Sequence, residues 1–432
     1  MRKGIVSFIF LFTLIQGQAQ EPLKLSDAVN IALKNSLDVQ LASNDLEANT
    51  ILNNYGVAGG LPLVVASVVD NEQISTINQK LNTGATITRD AAGVNNLSAN
   101  LSGSILLFNG RRVVATKKRL EQLQKQSQSL LNSQIQNIMG AVMTGYYDIV
   151  RQQSYLKTIE RSIDASKQQL DIVQTRQQVG LANNADLFQA QIDLNALQQT
   201  SISQQLIIDQ AKTELLRLLT LKPDSIIAIQ DTILVDKNIL LENVLNNINH
   251  NSDIIAAQDQ VRINELIVKE TAAQRYPSIR ALTGYNFNRN SAAAGQLLLN
   301  QSYGPSTGLT VGIPIYNGSL FRRQQKVAEI NVRNAELNTQ ILVRDYEAQV
   351  VKSYQSYVST LKQLETEQQN YILSNQLLEL VLKRFQLKQA TIVDVKNAQQ
   401  SFEESGYRLV NLNYAAKSSE IELKRLSNQL AL

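Results

Sequence analysis

The sequence predicts a mainly helical chain with a smaller β part, built as two tandem copies of one unit. Three observations carry that prediction. The chain repeats itself at an offset of 208 residues, two stretches of nearly seventy residues are almost free of helix breakers, and each is preceded by strictly alternating apolar and polar residues.

The repeat sets the domain plan. A shift of 208 brings Leu101, Ile105, Asn109 and Gly110 onto Leu309, Ile313, Asn317 and Gly318, and the register then holds without a gap for more than a hundred residues. Within it, Val142, Tyr146 and Val150 fall on Val350, Tyr354 and Val358, and Leu170, Val173, Arg176 and Gln178 on Leu378, Val381, Arg384 and Gln386. Asp186, Ala190 and Gln191 then meet Asp394, Ala398 and Gln399. Pro62 pairs with Pro277 at a larger shift, so the first copy carries extra residues between Pro62 and Asn109. A repeat this long means two copies, whereas a solenoid needs several shorter ones. The implied plan is an export signal at 1–19 and a first copy at 20–219, with a β-hairpin at about 61–108 and a helical hairpin at about 111–219. A joining segment follows at 220–243, then a second copy at 244–432 with hairpins at about 277–316 and 318–430.

Each copy reads helix, strand, loop, strand, very long helix, turn, helix. From Arg111 to about Val179 there is no Pro and only two Gly, Gly140 and Gly145, while Leu320 to Leu387 contains neither. Leu120, Leu123, Leu130, Ile135, Ile138 and Val142 recur at helical spacing, which predicts helices of ~100 Å at the standard rise. A thin apolar stripe diluted by Gln and Asn cannot bury itself alone, so these helices require coiled-coil-like partners. Gly180 suits the left-handed residue past a helix end, and Asn183-x-x-Asp186 carries the cap and third-position acid of a new helix. Thr391-x-x-Asp394 repeats that signature, but Lys388 stands where the first copy has glycine, so the second turn either strains or differs.

Ahead of each long helix lies a strand pattern. Leu97, Ala99, Leu101, Gly103, Ile105 and Leu107 alternate with Asn96, Ser98, Asn100, Ser102 and Ser104, and Leu309, Val311, Ile313 and Ile315 repeat the alternation. Partner strands begin at Pro62, with Leu63, Val65, Ser67 and Val69 as one face, and at Pro277, with Ile279, Ala281, Thr283, Tyr285 and Phe287. The stretches 71–95 and 288–303 read as exposed loops. Strands of ~10 residues match a bilayer when tilted, but four cannot close a barrel, because the smallest membrane barrels use eight. A membrane reading therefore requires several copies of the chain to share one barrel.

Composition closes other routes. With no Cys there is no disulfide framework or thiolate metal site, and one His excludes a multi-histidine centre; His250, in Asn249-His250-Asn251, reads as a polar residue at a helix boundary. No Ser-His-Asp set or Gly-rich phosphate loop is present, so neither an enzyme nor a cofactor is expected. The formal charge is +4, from 41 Lys and Arg against 37 Asp and Glu, with basic residues scattered among acids. That pattern indicates neither a nucleic-acid stripe nor a polybasic membrane patch. Arg2 and Lys3, the apolar run Gly4 to Ile15 and Gly17-Gln18-Ala19 form a cleavable export signal, with the mature chain beginning near Gln20.

The whole pattern resembles one family. Two copies of helix, β-hairpin, Leu107-Phe108-Asn109-Gly110-Arg111-Arg112, long helix, Val179-Gly180-Leu181 and Asp186-Leu187-x-x-Ala190-Gln191 look like the TolC-like outer membrane efflux proteins. So does the opening Leu25-Ser26-Asp27-Ala28-Val29. The resemblance implies a homotrimer in the outer membrane whose strands form a twelve-stranded barrel and whose helices form an α-barrel tunnel across the periplasm. It implies outer membrane lipid, a periplasmic adaptor and an inner-membrane transporter as partners, passive export of what the pump delivers, and no nucleic acid. It puts the segment from Lys222 to Leu241 in an equatorial belt. It also implies a pore constriction at the second-copy turn, with Asp394 and Asn397, and with Asp186 in the first. A capping role for Asp394 is compatible, since the cap fixes where the carboxylate points. Adaptor contact falls to Val179, Gly180 and Leu181, and to the poorly matching Leu387, Lys388 and Gln389. The Arg that clamps the best-known members shut is replaced by Ala390, so closure is expected to rest on packing around Leu181, Leu187 and Ile392. A non-channel periplasmic or surface coiled-coil protein is the alternative; it explains the long helices but not the four amphipathic strands.

Overall fold

The structure is a computed structural model that describes residues 22–431. The expected export signal lies outside the described residues. In chain order the elements are α1 (Leu25–Asn35), α2 (Leu37–Leu52), β1 (Leu63–Lys80), β2 (Thr86–Asn109), α3 (Arg112–Gln178) and α4 (Asn184–Leu218). After an irregular segment come α5 (Leu241–Asn247), α6 (Ser252–Ala273), β3 (Ser278–Ala292), β4 (Leu299–Gly312), α7 (Leu320–Gln386) and α8 (Ile392–Leu426). Helices α3 and α7 are 67 residues each and α4 and α8 are 35 each, so the two copies match in length. Among the described residues no helix is long and apolar enough to cross a membrane. The chain divides into two compact units, one of residues 38–134 and 247–348, the other of residues 1–37, 135–246 and 349–432.

The first unit carries the strands, an antiparallel sheet in the order β1-β2-β3-β4. Residues paired across antiparallel strands share a face. Leu101 lies opposite Ala66 and Tyr285, Ala99 opposite Val68 and Phe287, and Ala281 opposite Ile105 and Leu309, which makes one face apolar across all four strands. The other face is a polar ladder, in which Asn100 donates to Asn286 at 2.6 Å and Asn286 to Ser306 at 3.0 Å. Leu63, Val65, Ser67 and Val69, the expected apolar face of β1, lie opposite Ser104, Ser102, Asn100 and Ser98 on this polar side. Val64, Ala66 and Val68 supply the apolar side instead. The reason is that β1 is apolar at both parities, so its alternation carries no register and its partner decides.

The expected loops also shorten. β1 continues to Lys80 and β2 begins at Thr86, with a bulge between Ser75 and Ile77, while β3 runs to Ala292 and β4 starts at Leu299. A hairpin satisfies its own backbone groups, so polar side chains on both faces do not end it. In the same unit α6 is capped by Asn251, which accepts from the Asp253 N–H at 2.9 Å. Its Glu270 and Asp259 take Arg119 at 2.7 Å and Gln122 at 2.5 Å from α3.

The second unit holds two apolar cores. In one, Ala28, Val29 and Ala32 of α1 meet Val142, Tyr146, Ile149 and Val150 of α3 and Leu215 of α4. The segment after α4 is strapped to this core. The single Tyr146 hydroxyl hydrogen is shared between the Leu23 carbonyl at 3.0 Å and Asp231 at 3.2 Å, and the Asp236 N–H donates to buried Glu420 at 3.0 Å. The charge of Glu420 is compensated by Lys417 at 3.0 Å and Lys424 at 2.8 Å. The other core underlies the helix turns.

Candidate functional site

Both helical hairpins turn through the same backbone. At the end of α3 the Leu181 N–H reaches the Arg176 carbonyl at 2.7 Å and the Gly180 N–H reaches Gln177 at 3.0 Å. At the end of α7 the Gln389 N–H reaches Arg384 at 2.8 Å and the Lys388 N–H reaches Phe385 at 3.1 Å. This is the doubly bonded left-handed helix ending, with φ of 73° at Gly180 and 61° at Lys388. Lysine therefore keeps the turn and accepts the strain, on the order of 1–2 kcal/mol for an L side chain in that region.

The return helices start alike and then diverge. Asn183 and Thr391 share φ −94° and ψ 167°. Asn183 accepts from the Asp186 N–H at 2.8 Å and Thr391 from the Asp394 N–H at 3.2 Å. In the second copy the bond is returned, because Asp394 accepts from the Thr391 N–H at 2.7 Å and its hydroxyl at 2.8 Å. The Thr391 backbone N–H, then its hydroxyl, hold the Asp394 carboxyl below the usual carboxylate range. Asp394 is thus a fixed, exposed anion in a capping box, with Asn397 exposed one turn on and Asp186 half-buried in the first copy.

Beneath the turns lies the second apolar core: Val173 of α3, Ala190 of α4, Leu378, Val381 and Phe385 of α7, and Val395, Ala398 and Phe402 of α8. Ala182, Leu187, Ala390 and Ile392 pack against it, so the core joins the two turns. Leu181, expected to share in that packing, is 60% exposed, because it lies past the helix end where the chain reverses. Val179, Leu387 and Val393 are likewise exposed apolar residues of the two turns. The Arg176 guanidinium sits 4.5 Å from the Phe385 ring and donates to the Phe385 carbonyl, tying the end of α3 to the end of α7. Lys396 of α8 meets Asp193 of α4 at 2.9 Å. Among the described residues Lys388 forms no ion pair. Phe385 was the signal missed in the sequence, an aromatic aligned with Gln177 at the end of an otherwise matching helix.

The profile of the outer membrane efflux protein family matches residues 28–220 and 245–429, one match for each copy. Toxin and drug export protein A of Aggregatibacter actinomycetemcomitans is 24% identical over 410 residues, covering 92% of this chain and 86% of that protein. Outer membrane protein TolC of Vibrio cholerae is 23% identical over 353 residues, covering 78% and 77%. The Campylobacter jejuni CmeC outer membrane channel superposes with a TM-score of 0.76 over 94% of this chain and 85% of its own, at 16% identity. These matches set aside a non-channel coiled-coil scaffold, and with the duplicated helical hairpins and amphipathic sheet they lead to one conclusion: the chain belongs to the outer membrane efflux protein family, a channel of the outer membrane extending into the periplasm and not an enzyme.

Proposed function

We propose that the chain is the outer-membrane exit duct of a tripartite export system, passively conducting substrates delivered by an inner-membrane transporter through a periplasmic adaptor. The carrying observation is the four-stranded sheet, apolar on one face and open at both edges. Three copies joined edge to edge give a closed twelve-stranded barrel, and the long helices continue as the tunnel. The two copies of the repeat act as the structural domains of each subunit. At the turns, Asp394, together with Asn397 and with Asp186 of the first copy, forms the constriction, where carboxylates around one axis favour cations. Val179, Gly180, Leu181, Leu387, Lys388 and Gln389 meet the adaptor. The exposure of these apolar turn residues and the fixed anionic form of Asp394 support this reading.

The test combines the mass of the detergent-extracted protein with conductance in planar bilayers. A trimeric mass and discrete channels are expected, and Asp394→Asn should reduce cation preference while leaving the open-channel current of the same order. A well-folded monomer with full helical circular dichroism would end the shared-barrel model; unchanged selectivity in the variant would confine Asp394 to capping.

A further inference from the structure

Register places the ends of three strands together: Asn109 of β2 lies opposite Ser278 of β3, which lies opposite Gly312 of β4. The segments that leave or enter the sheet there are 105–120, 271–282 and 313–328, and between them they hold ten basic residues, with Glu121, Glu270 and Glu329 immediately beyond their ends. That contrasts with near balance over the whole chain. The charge pattern along the sequence indicates no polybasic membrane patch, and the basic excess here comes from three separate segments whose strand ends are paired.

Arg119 is matched by Glu270 at 2.7 Å, and Lys117 is held by Asn53 at 2.6 Å. Arg111, Arg112, Lys118, Arg322, Arg323 and Lys326 are exposed and form no ion pair among the described residues. Four of these arginines sit in or just before the first turns of α3 and α7, neither of which has an acid there. Positive charge at a helix N-terminus opposes the macrodipole, so helix stability does not explain the placement. Nor does descent from one ancestral position. Arg111 and Arg112 align with Ser319 and Leu320, and Arg322 and Arg323 with Val114 and Ala115. Each copy reaches the same charge by different residues.

Between the strand ends lies a cleft of about 620 Å³ lined by Arg112, Tyr276, Ile313, Pro314 and Phe321 among others. Its walls are mixed, apolar and aromatic at Ala273, Tyr276, Ile313, Pro314 and Phe321, and polar at Asn109, Gln274 and Ser278, with Arg112 among them. The apolar face of the sheet starts next to it, with Ile279 opposite Phe108 and Val311, and ends some ten residues on, where Arg289 lies opposite Leu97 and Gln301. At ~3.3 Å per residue and a tilted strand, that band matches the ~25 Å apolar girdle of a membrane barrel. The basic cluster thus sits at a bilayer boundary, where aromatic rings and cations meet headgroups.

We infer that this cleft binds an anionic phospholipid of the adjacent leaflet, the Arg112 guanidinium taking the phosphodiester, the apolar part of the walls taking the start of the acyl chains, and the exposed Arg111, Lys118, Arg322, Arg323 and Lys326 of the adjoining helix starts adding electrostatic attraction. Charge complementarity selects that occupant, since a zwitterionic lipid would leave the surplus positive charge uncompensated.

The probe is phosphatidylglycerol added to the full-length protein in neutral detergent. Bound lipid is counted by native mass spectrometry and thermal stability is followed by circular dichroism. Phosphatidylglycerol should remain bound and raise the unfolding temperature, whereas phosphatidylcholine should do neither. Arg112→Gln should weaken binding roughly fivefold, and Arg112→Gln, Arg322→Gln and Arg323→Gln together by far more than tenfold. Should the triple variant not fold, Lys118→Gln with Lys326→Gln, on exposed helix positions, should still weaken binding more than tenfold. Equal binding of the two lipids, or unchanged binding in the variants, would overturn the proposal. Displacement by equimolar inorganic phosphate would make this a free-phosphate site and also overturn it. A triple variant that separates the subunits without altering lipid binding would assign the charges to contacts between copies.

Discussion

The two helix turns are built on one backbone plan with different side-chain chemistry. The first copy places Gly180 at the left-handed residue, Asn183 at the cap and Gln177 on the last turn of its long helix. The second places Lys388, Thr391 and Phe385 at the equivalent positions. What the second turn loses in backbone strain at Lys388 it recovers in the Thr391–Asp394 capping box and in burial of Phe385, which is 4% exposed. Duplicated segments can thus hold the same path while moving their stabilisation from backbone freedom to side-chain packing.

The sharpest way to break the comparison is at the last helical turn. Phe385→Ala should destabilise the second unit by about 3–5 kcal/mol, through lost burial and the cavity left behind. Gln177→Ala, at the equivalent place, should stay within about 0.5 kcal/mol. Unfolding monitored by circular dichroism in detergent checks both, and equal effects would show that the core is not weighted toward the second copy.

Exchanging the left-handed residues comes next. Gly180→Lys should cost about 1–2 kcal/mol. No atom lies within 4 Å of an added Cβ, so that cost is purely conformational. Lys388→Gly should gain less than the reverse change costs, because glycine also gains freedom in the unfolded chain. A loss of stability on Lys388→Gly would mean that the lysine side chain makes a stabilising contact outweighing its strain.

Smaller effects separate the carboxylates. Burial pushes the Glu403 carboxyl up, while the first copy has Asn195 there. A raised folded-state value means that stability falls as pH rises above the unfolded value of about 4.3. Glu403→Gln should therefore be more stable than the parent at pH 7, with the gap closing below about pH 4. Asp394 has the opposite sign: its lowered value makes its contribution present above about pH 4 and lost as pH falls further. Asp394→Asn should flatten that acid limb of the stability profile, and a limb that persists unchanged would remove Asp394 as its source.

The legible parts of this molecule were those written in period and spacing. Helices α3 and α7 follow from long runs without Pro, and the first turn from Gly180 and Asn183, because each of those residues has a local reason for its place. The turn at Lys388 was ambiguous because a capping box three residues on, not the left-handed residue itself, signals the second turn. Strand lengths were underestimated because apolar alternation marks where a strand meets lipid, not where backbone pairing ends. The β1 register was invisible because Leu63 to Val69 is apolar at both parities. At the candidate site, positions such as Asp394 could be named in advance, but the Arg176–Phe385 contact, and away from that site the cleft at the strand ends with Arg112 in its wall, depend on tertiary convergence that no local pattern encodes.

Before it meets a bilayer, the chain carries β1 as an outer strand of its sheet. Leu63-Val64-Val65-Ala66-Ser67-Val68-Val69 has no charge, no Pro and no Gly, and Leu63, Val64, Val65, Val68 and Val69 are all at least 45% exposed. In water such a segment is a template for runaway pairing with any passing chain, and nothing charged within it acts as a gatekeeper. Synthesis also delivers it well before β3 and β4 exist. Passage through an aqueous compartment therefore demands that this stretch be sheltered by a holding partner or inserted quickly. Yield on secretion should be most sensitive to Val65 or Val69, where a polar residue adds a gatekeeper without touching the lipid-facing side.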